Sequence, residues 1–176
     1  MGTLEKALLG GGCFWCIEAV YNRVKGVHNA LSGYAGGARP NPSYEQVCTG
    51  VSGHAEVVEV TFDPEVVSYE EILAIFWTIH NPTTRNAQGA DRGTQYRSVI
   101  YYYDEEQKAK ALVSIAQAQS SFNDPIVTEL SQVPEFFVGE GYHQNYYNEH
   151  PTQGYCYAVI APKIEKFMTK FGDKAK

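Results

Sequence analysis

The stretch that sets the start of the fold covers residues 5–26 and reads EKALLGGGCFWCIEAVYNRVKG. Residues 5–9 are a short apolar run before three glycines, a pattern that predicts a strand ending in a tight turn. Apolar residues then recur at helical spacing up to residue 24, and Gly26 is typical of a left-handed helix cap. The pattern therefore places Cys13 at the N-terminus of the first helix.

A cysteine at this position is a candidate for redox chemistry. The partial positive charge of a helix N-terminus favours the thiolate, which is the reactive form of cysteine. The alternative is an inert, buried cysteine after a glycine turn. Cys13 and Cys16 also form a Cys-x-x-Cys pair, as in a thioredoxin-like dithiol or half of a zinc site. The sequence has no second such pair and no zinc-finger histidine spacing, so we do not expect a metal.

Outward from this stretch, alternating apolar residues and turn residues predict the other elements. A strand at 27–34 is followed by a long loop at 36–53 with one helical turn near 44–48. Ser68 and Glu71 form a capping-box pattern that opens a helix reaching Ile79. The remaining predicted elements are a strand around 58–62, a functional loop at 81–97, a strand at 98–103, a helix at 104–122 capped by Asp104, a strand at 126–130, and a helix at 162–171.

The order of these elements predicts the fold class. Strand, helix, strand, strand, helix, strand is typical of a two-layer α/β sandwich with a ferredoxin-like core and a mostly antiparallel sheet. Residues 136–154 are polar and rich in aromatic residues, which predicts a long coil in the C-terminal region. We expect one domain over residues 1–176, because a chain of this length with 44% hydrophobic residues can bury one substantial core.

Composition excludes several classes of protein. The net charge of −6 and the scattered lysines and arginines argue against a nucleic-acid partner. No apolar run is long enough for a membrane span, and no signal peptide pattern is present, so we expect a cytoplasmic protein without membrane contact. Four cysteines are too few for a secreted disulfide scaffold. We also expect a monomer.

Four stretches together carry a family resemblance. The first is Gly12-Cys13-Phe14-Trp15, and the others are Gly33-Tyr34-Ala35-Gly36-Gly37 with Asn41-Pro42-Ser43-Tyr44, then Gly53-His54-Ala55-Glu56, then residues 88–98, QGADRGTQYRS. In this order they resemble the A-class methionine sulfoxide reductases, and the likeness runs from about residue 11 to residue 156. The resemblance implies reduction of the S epimer of methionine sulfoxide, free or in proteins, without a metal or organic cofactor.

The resemblance also implies a role for individual residues. Cys13 is the nucleophile and Cys156 resolves its oxidised form, while the other site residues line a hollow for the S-methyl group (Phe14, Trp15) or surround the sulfoxide oxygen (Tyr44, Glu56, Asp91, Tyr96). Cys16 stands where many relatives have glycine. It is three residues from Cys13 and competes with Cys156 as the resolving thiol, although we favour Cys156. Cys48 is expected to be a small buried residue or a spare thiol.

The chemistry explains why these residue types suit the reaction. A sulfoxide sulfur becomes a good electrophile only when its oxygen is protonated or strongly hydrogen-bonded, and a partly buried Glu56 can hold that proton because desolvation raises a carboxyl pKa. The hydroxyls of Tyr44 and Tyr96 can donate to the same oxygen. Without the resemblance, Glu56 would be interpreted as a solvated carboxylate, the tyrosines as core residues, and Asp91 as a turn residue or the ion-pair partner of Arg92.

The expected product on Cys13 is a sulfenic acid, which condenses with a nearby thiol to a disulfide. An external dithiol such as thioredoxin would then reduce that disulfide. Two other functions stay open at this point. One is a general thiol–disulfide oxidoreductase built on Cys13 and Cys16, and the other is a non-enzymatic module that binds methionine-containing peptides through Phe14, Trp15 and the tyrosines.

Overall fold

The chain forms a six-stranded curled sheet with helices packed against it. The computed structural model describes residues 4–12, 14–37, 43–44, 47, 53–88, 91–139, 144 and 160–175, but not the side chains of residues 88, 91 and 92. The strands are β1 Glu5–Gly10, β2 Val27–Ala35, β3 Ala55–Phe62, β4 Ala87–Gln88, β5 Asp91–Arg92, β6 Val99–Tyr102, β7 Glu129–Gln132 and β8 Phe136–Val138. The α-helices are α1 Phe14–Tyr21, α2 Tyr69–Ile79, α3 Glu105–Gln119 and α4 Ala161–Phe171, and 3-10 turns cover Thr94–Tyr96 and Gly172–Lys174.

The strand order in the sheet is β7-β6-β1-β3-β2-β8. Neighbouring strands run antiparallel except β6 and β7, which are parallel. Strands β4 and β5 form a separate two-residue pairing. In the β2–β3 pair, Tyr34 of β2 lies opposite Glu56 of β3, so both side chains point to the same face of the sheet.

The helices cover the face that carries Glu56. Because side chains alternate along a strand, Glu56, Val58, Val60 and Phe62 share that face, and the last three pack with apolar residues of α1, α2 and α4 in the main core. The buried hydroxyl of Tyr21 donates to the carbonyl of Ile72 at 2.7 Å and so links α1 to α2. Packing against the sheet therefore fixes the position of α1.

A smaller apolar cluster lies on the opposite face of the sheet. It contains Leu8, Ala35, Ala55, Val57, Val99 and Tyr101, with Tyr103, Val133 and Phe136 packed against it. Leu8 in β1 and Ala55 and Val57 in β3 alternate with residues of the main core, so both central strands are apolar on two sides. The sheet is therefore buried at its centre.

Helix starts agree with the sequence more closely than helix ends do. The capping box of α2 is present, with the Glu71 N–H donating to Ser68 Oγ (3.1 Å) and the Ser68 N–H donating to Glu71 Oε1 (3.2 Å). Asp104 caps α3 as predicted. Helix α1, however, ends at Tyr21, because the Val24 N–H bonds to the Tyr21 carbonyl and Val24 then bridges to Ala175.

One strand prediction and one coil prediction in the second half of the chain were wrong. The strand predicted at 126–130 is β7, three residues later, because the Ile126 N–H donates to the Gln119 side chain and the Val127 N–H donates to the Pro82 carbonyl. The start of the predicted coil at 136–154 is strand β8, which pairs with Gly33 to Ala35 of β2. The loop predicted at 81–97 contains the β4–β5 pairing and a 3-10 turn.

Beyond β8, one side chain continues the pairing along β2. The Ser32 N–H donates to Gln144 Oε1 at 3.0 Å, and Gln144 Nε2 donates to the Ser32 carbonyl at 2.8 Å. Gln144 Nε2 also bonds to the carbonyl of Gly139 at 3.1 Å. The described helices include none with the length and apolarity needed to cross a bilayer.

Candidate active site

The centre of the candidate site is the turn between β1 and α1. Gly10 ends β1 and Phe14 begins α1. Gly12 has a φ of 91°, which a residue with a side chain rarely adopts, and its N–H donates to the Tyr96 carbonyl at 3.2 Å. Cys13 lies outside the described residues, but its two neighbours in the chain are both held in place.

Glu56 lies against the N-terminus of α1. Its side chain is fully buried, on the helix-bearing face of β3. The backbone N–H of Phe14 donates to Glu56 Oε1 at 3.2 Å. This N–H is one of the donors that the first turn of a helix cannot satisfy within the helix. The structure therefore brings the predicted acid to the residue that follows Cys13.

Aromatic rings surround the start of α1. The ring centroid of Phe14 lies 5.6 Å from that of Tyr34, 6.4 Å from that of Trp15 and 6.4 Å from that of Tyr44. The rings of Trp15 and Tyr44 stack at 6.3 Å. Phe14 is fully buried, whereas Trp15 and Tyr44 are half-buried and reach the surface. These rings form an apolar wall beside Glu56, and Tyr34 belongs to it although it was not among the predicted site residues.

Tyr44 and Tyr96 reach the site from two separate loops. The Val47 N–H donates to the Ser43 carbonyl at 3.0 Å, the bond of the helical turn predicted around Tyr44. Tyr96 is the last residue of the 3-10 turn, is half-buried, and accepts the bond from Gly12 through its carbonyl. Tyr44 therefore contacts the first residues of α1, and Tyr96 contacts the glycine turn before it.

A second residue that the sequence prediction missed lies under the glycine turn. The ring of His80 is buried, and a Cβ added to Gly11 would come within 2.7 Å of its Cδ2. His80 Nδ1 is 2.6 Å from the Phe76 carbonyl and Nε2 is 2.8 Å from Ser98 Oγ. A single histidine after a helix carries no sequence signal for such a contact, whereas Tyr34 follows from the β2–β3 register once that is known.

The other predicted site residues are placed as follows. Cys16 is on α1, is 1% exposed, and packs in the main core. Asp91 pairs with Gln88 in the β4–β5 pairing, but its side chain is outside the described part. Cys156 and Cys48 also lie outside the described residues. The described contacts thus connect Trp15, Tyr44, Glu56 and Tyr96 to Gly12 or Phe14, the residues on either side of Cys13 in the chain.

A large depression lies between α2, α3 and α4, and His80 is among the residues that line it. Its volume is about 1510 Å³, and Trp77, Val113 and Lys166 are among its lining residues. None of the aromatic residues at the start of α1 and neither Glu56 nor Tyr96 is among the described residues that line it. Size alone does not make it the candidate site, because Phe14, Trp15, Glu56 and Tyr96, which the sequence analysis selected, do not line it.

Comparisons with known proteins give consistent results. A family model described as "Peptide methionine sulfoxide reductase" matches residues 5–175. A protein of Polynucleobacter asymbioticus named "Peptide methionine sulfoxide reductase MsrA" is 58% identical over 171 residues, which cover 96% of this chain and 90% of that protein.

Solved structures agree with the sequence comparisons. The structure described as "Crystal structure of Mxr1 from Saccharomyces cerevisiae in reduced form" is 31% identical with a TM-score of 0.81, covering 87% of this chain and 89% of that chain. Mxr1 in complex with Trx2 gives 22% identity and a TM-score of 0.57, over 81% of this chain and 84% of that chain. The likeness to the complex shows the fold alone.

Proposed function

Because this chain belongs to the peptide methionine sulfoxide reductase family, we propose that it uses Cys13 as the nucleophile to reduce the S epimer of methionine sulfoxide, free or in proteins. The family is one of oxidoreductases, and reduction of methionine sulfoxide is its activity. The observation that carries the residue assignment is the bond from the Phe14 N–H to Glu56 Oε1 at 3.2 Å. This bond holds the carboxyl group of Glu56 at the N-terminus of α1, and Cys13 is the residue just before Phe14 in the chain, so it supports a role for both residues in the same reaction.

The proposed first step transfers oxygen from the substrate to Cys13. The thiolate attacks the sulfoxide sulfur, the sulfoxide oxygen takes a proton from Glu56, and collapse of the adduct gives methionine and a sulfenic acid on Cys13. Full burial of Glu56 supports the role of proton donor, because an apolar environment favours the neutral acid over the carboxylate. A helix N-terminus favours the thiolate at the same time.

The apolar wall at the start of α1 suits the methyl group of the substrate. Phe14 and Trp15 are proposed to line a hollow for the S-methyl group. Trp15 is half-buried and reaches the surface, and the fully buried Phe14 packs against it, which supports binding of the methyl group by burial against apolar rings. Tyr44 and Tyr96 are proposed to donate their hydroxyls to the oxygen as negative charge develops on it. Asp91 is also proposed to bind the substrate.

The proposed second step forms a disulfide between Cys13 and Cys156 and releases water. Burial of Cys16 in the core supports Cys156, because a thiol exposed by only 1% cannot readily approach a sulfenic acid or become available to a protein reductant. Thioredoxin is the proposed reductant of that disulfide. The proposal is consistent with the solved structure of Mxr1 from Saccharomyces cerevisiae in complex with Trx2.

We propose further that the core is a single ferredoxin-like domain. Strands β6, β1, β3 and β2 are adjacent in that order, and they alternate with α1 and α2 along the chain as strand, helix, strand, strand, helix, strand. A monomeric state and a cytoplasmic location stay predictions of the sequence.

One assay tests the proposed function. Reduced wild-type protein is mixed with the separate S and R epimers of methionine sulfoxide and dithiothreitol, and methionine is measured by chromatography. We expect methionine from the S epimer only and none from Cys13→Ser. Methionine formation by Cys13→Ser would overturn the assignment of the nucleophile, and turnover of the R epimer would overturn the assignment of the epimer.

A further inference from the structure

His80 lies directly beneath the glycine turn that leads into α1. The ring atoms of His80 fill the space where Gly11 would carry a side chain, with Cδ2, Cγ and Nε2 at 2.7, 2.9 and 3.2 Å from an added Cβ. On the other side of the turn, the Gly12 N–H is bonded to the Tyr96 carbonyl. The chain just before residue 13 is therefore held between His80 and Tyr96.

The ring itself is held by a directional chain of hydrogen bonds. A carbonyl only accepts, so Nδ1 must donate to the Phe76 carbonyl at 2.6 Å. In the neutral ring Nε2 then accepts from the Ser98 hydroxyl at 2.8 Å, and the Ser98 oxygen accepts in turn from Thr128 Oγ1 at 2.8 Å. Both ring nitrogens are occupied, and the ring has one tautomer and one orientation.

The neutral state of His80 follows from its surroundings. Burial lowers the pKa of His80 from 6.5 to about 3, against the opposing effect of the bond to Phe76, and nearby Lys163 lowers it further. His80 also links two parts of the site, because Ser98 is two residues after Tyr96 and Gly11 is two residues before Cys13. No other described side chain comes as close to the Cβ position of Gly11.

We propose that His80 is a positioning residue of the reductase, whose fixed ring supports the backbone of Gly11 and so sets the position of Cys13 relative to Glu56 and Tyr96. This inference rests on the proposed role of Cys13. His80 does not touch the reacting atoms. Its effect is geometric: small displacements of a nucleophile slow a reaction strongly, by about 100-fold for about 1 Å.

The contact between residues 11 and 80 provides a sharp test, because each side can be changed alone and together. Gly11→Ala should push the turn away from the ring, and His80→Ala should leave the turn without support. In the double variant the new methyl group occupies space that the ring has vacated. We expect each single variant to lower kcat about tenfold or more with KM nearly unchanged, and the double variant to be faster than the product of the two effects.

Further variants separate positioning from general loss of stability. Val67 is fully buried and lies outside the site, so Val67→Ala should lower Tm without lowering kcat at a temperature where the protein is folded. His80→Gln can still accept from Ser98, and it should recover part of the rate lost in His80→Ala. Normal kcat in folded His80→Ala, or effects of Gly11→Ala that are equal in both backgrounds, would overturn the proposal.

A readout without substrate separates this proposal from the proposed function. The rate at which iodoacetamide alkylates Cys13, measured by mass spectrometry, should change in His80→Ala and show the same coupling with Gly11→Ala. Absence of methionine formation in the wild type, with this coupling present, would remove the proposed function and leave His80 as the support of the turn. Normal methionine formation by the wild type, without coupling between residues 11 and 80, would keep the proposed function and overturn the proposed role of His80.

Discussion

The backbone N–H of Phe14 donates to Glu56 Oε1 at 3.2 Å, although 42 positions separate the two residues in the chain. One residue begins α1 and the other is the second residue of β3. The bond joins the helix layer to the sheet at the point where the chemistry is proposed to occur. Any substitution of Glu56 therefore has to be designed so that this bond remains possible.

Glu56→Gln meets that condition, because the amide oxygen can still accept from Phe14 while the acidic proton is lost. We expect single-turnover formation of methionine to fall by about 100-fold or more. Glu59→Gln is the matched control, since Glu59 is on the same strand but faces the other side and contacts Lys6 and Tyr103. Equal rates in the two variants would contradict the role of Glu56.

The resolving thiol can be identified by separating one turnover from many. In Cys156→Ser we expect one equivalent of methionine per protein to form at the normal rate, while turnover supported by thioredoxin stops. Cys16→Ser should keep most of its turnover, because Cys16 is in the core. If Cys16→Ser alone stops recycling, Cys16 is the partner of Cys13.

Stability should depend on pH through His80. The pKa of His80 is lowered to about 3 in the folded protein, so below its ordinary value of 6.5 the unfolded chain binds a proton that the folded protein does not. The free energy of unfolding should therefore fall as pH is lowered, with about 2 kcal/mol from His80 between pH 7.5 and pH 5. Urea unfolding at both pH values measures it. The loss of unfolding free energy between the two pH values should be smaller in His80→Gln than in the wild type. An equal loss in both proteins would show that another group causes it.

The N-terminus of α2 offers a test of stability away from the site. Ser68→Ala removes the acceptor for the Glu71 N–H and should lower the free energy of unfolding by about 1 kcal/mol. Ser120→Ala, which removes an exposed hydroxyl bonded to the Gln117 carbonyl, should change it by less than about 0.5 kcal/mol. Urea unfolding gives both values, and a cost for Ser68→Ala no larger than that for Ser120→Ala would mean that the cap contributes little.

Local patterns predicted the parts of the fold that local physics determines. Ser68 with Glu71 and Asp104 are side chains that bond to their own helix, so sequence alone located those two helix starts. Strand β8 was missed because its stability comes from pairing with β2, more than 100 residues earlier in the chain. Tyr34 and His80 were missed for the same reason, since their places in the site depend on contacts between distant segments.

The site prediction depended on the family resemblance more than on residue patterns. Glu56 alone would have been interpreted as an exposed strand residue, yet it is fully buried. Its burial results from the side-to-side alternation of β3 and from α1 packing over that face, and neither can be known before the register of the sheet. The residue pattern did predict correctly the helix that begins at Phe14.

The amide of Gln144 bonds to both backbone groups of Ser32, as a residue of a neighbouring strand would. Because Gln144 pairs with β2 through its side-chain amide and not through its backbone, a further strand cannot extend the backbone hydrogen bonds of the sheet from it. Open strand edges are where proteins associate into aggregates, and this device closes one position of such an edge with a single residue. Loss of Gln144 would leave this position of the edge open, and we therefore expect lower solubility at high protein concentration.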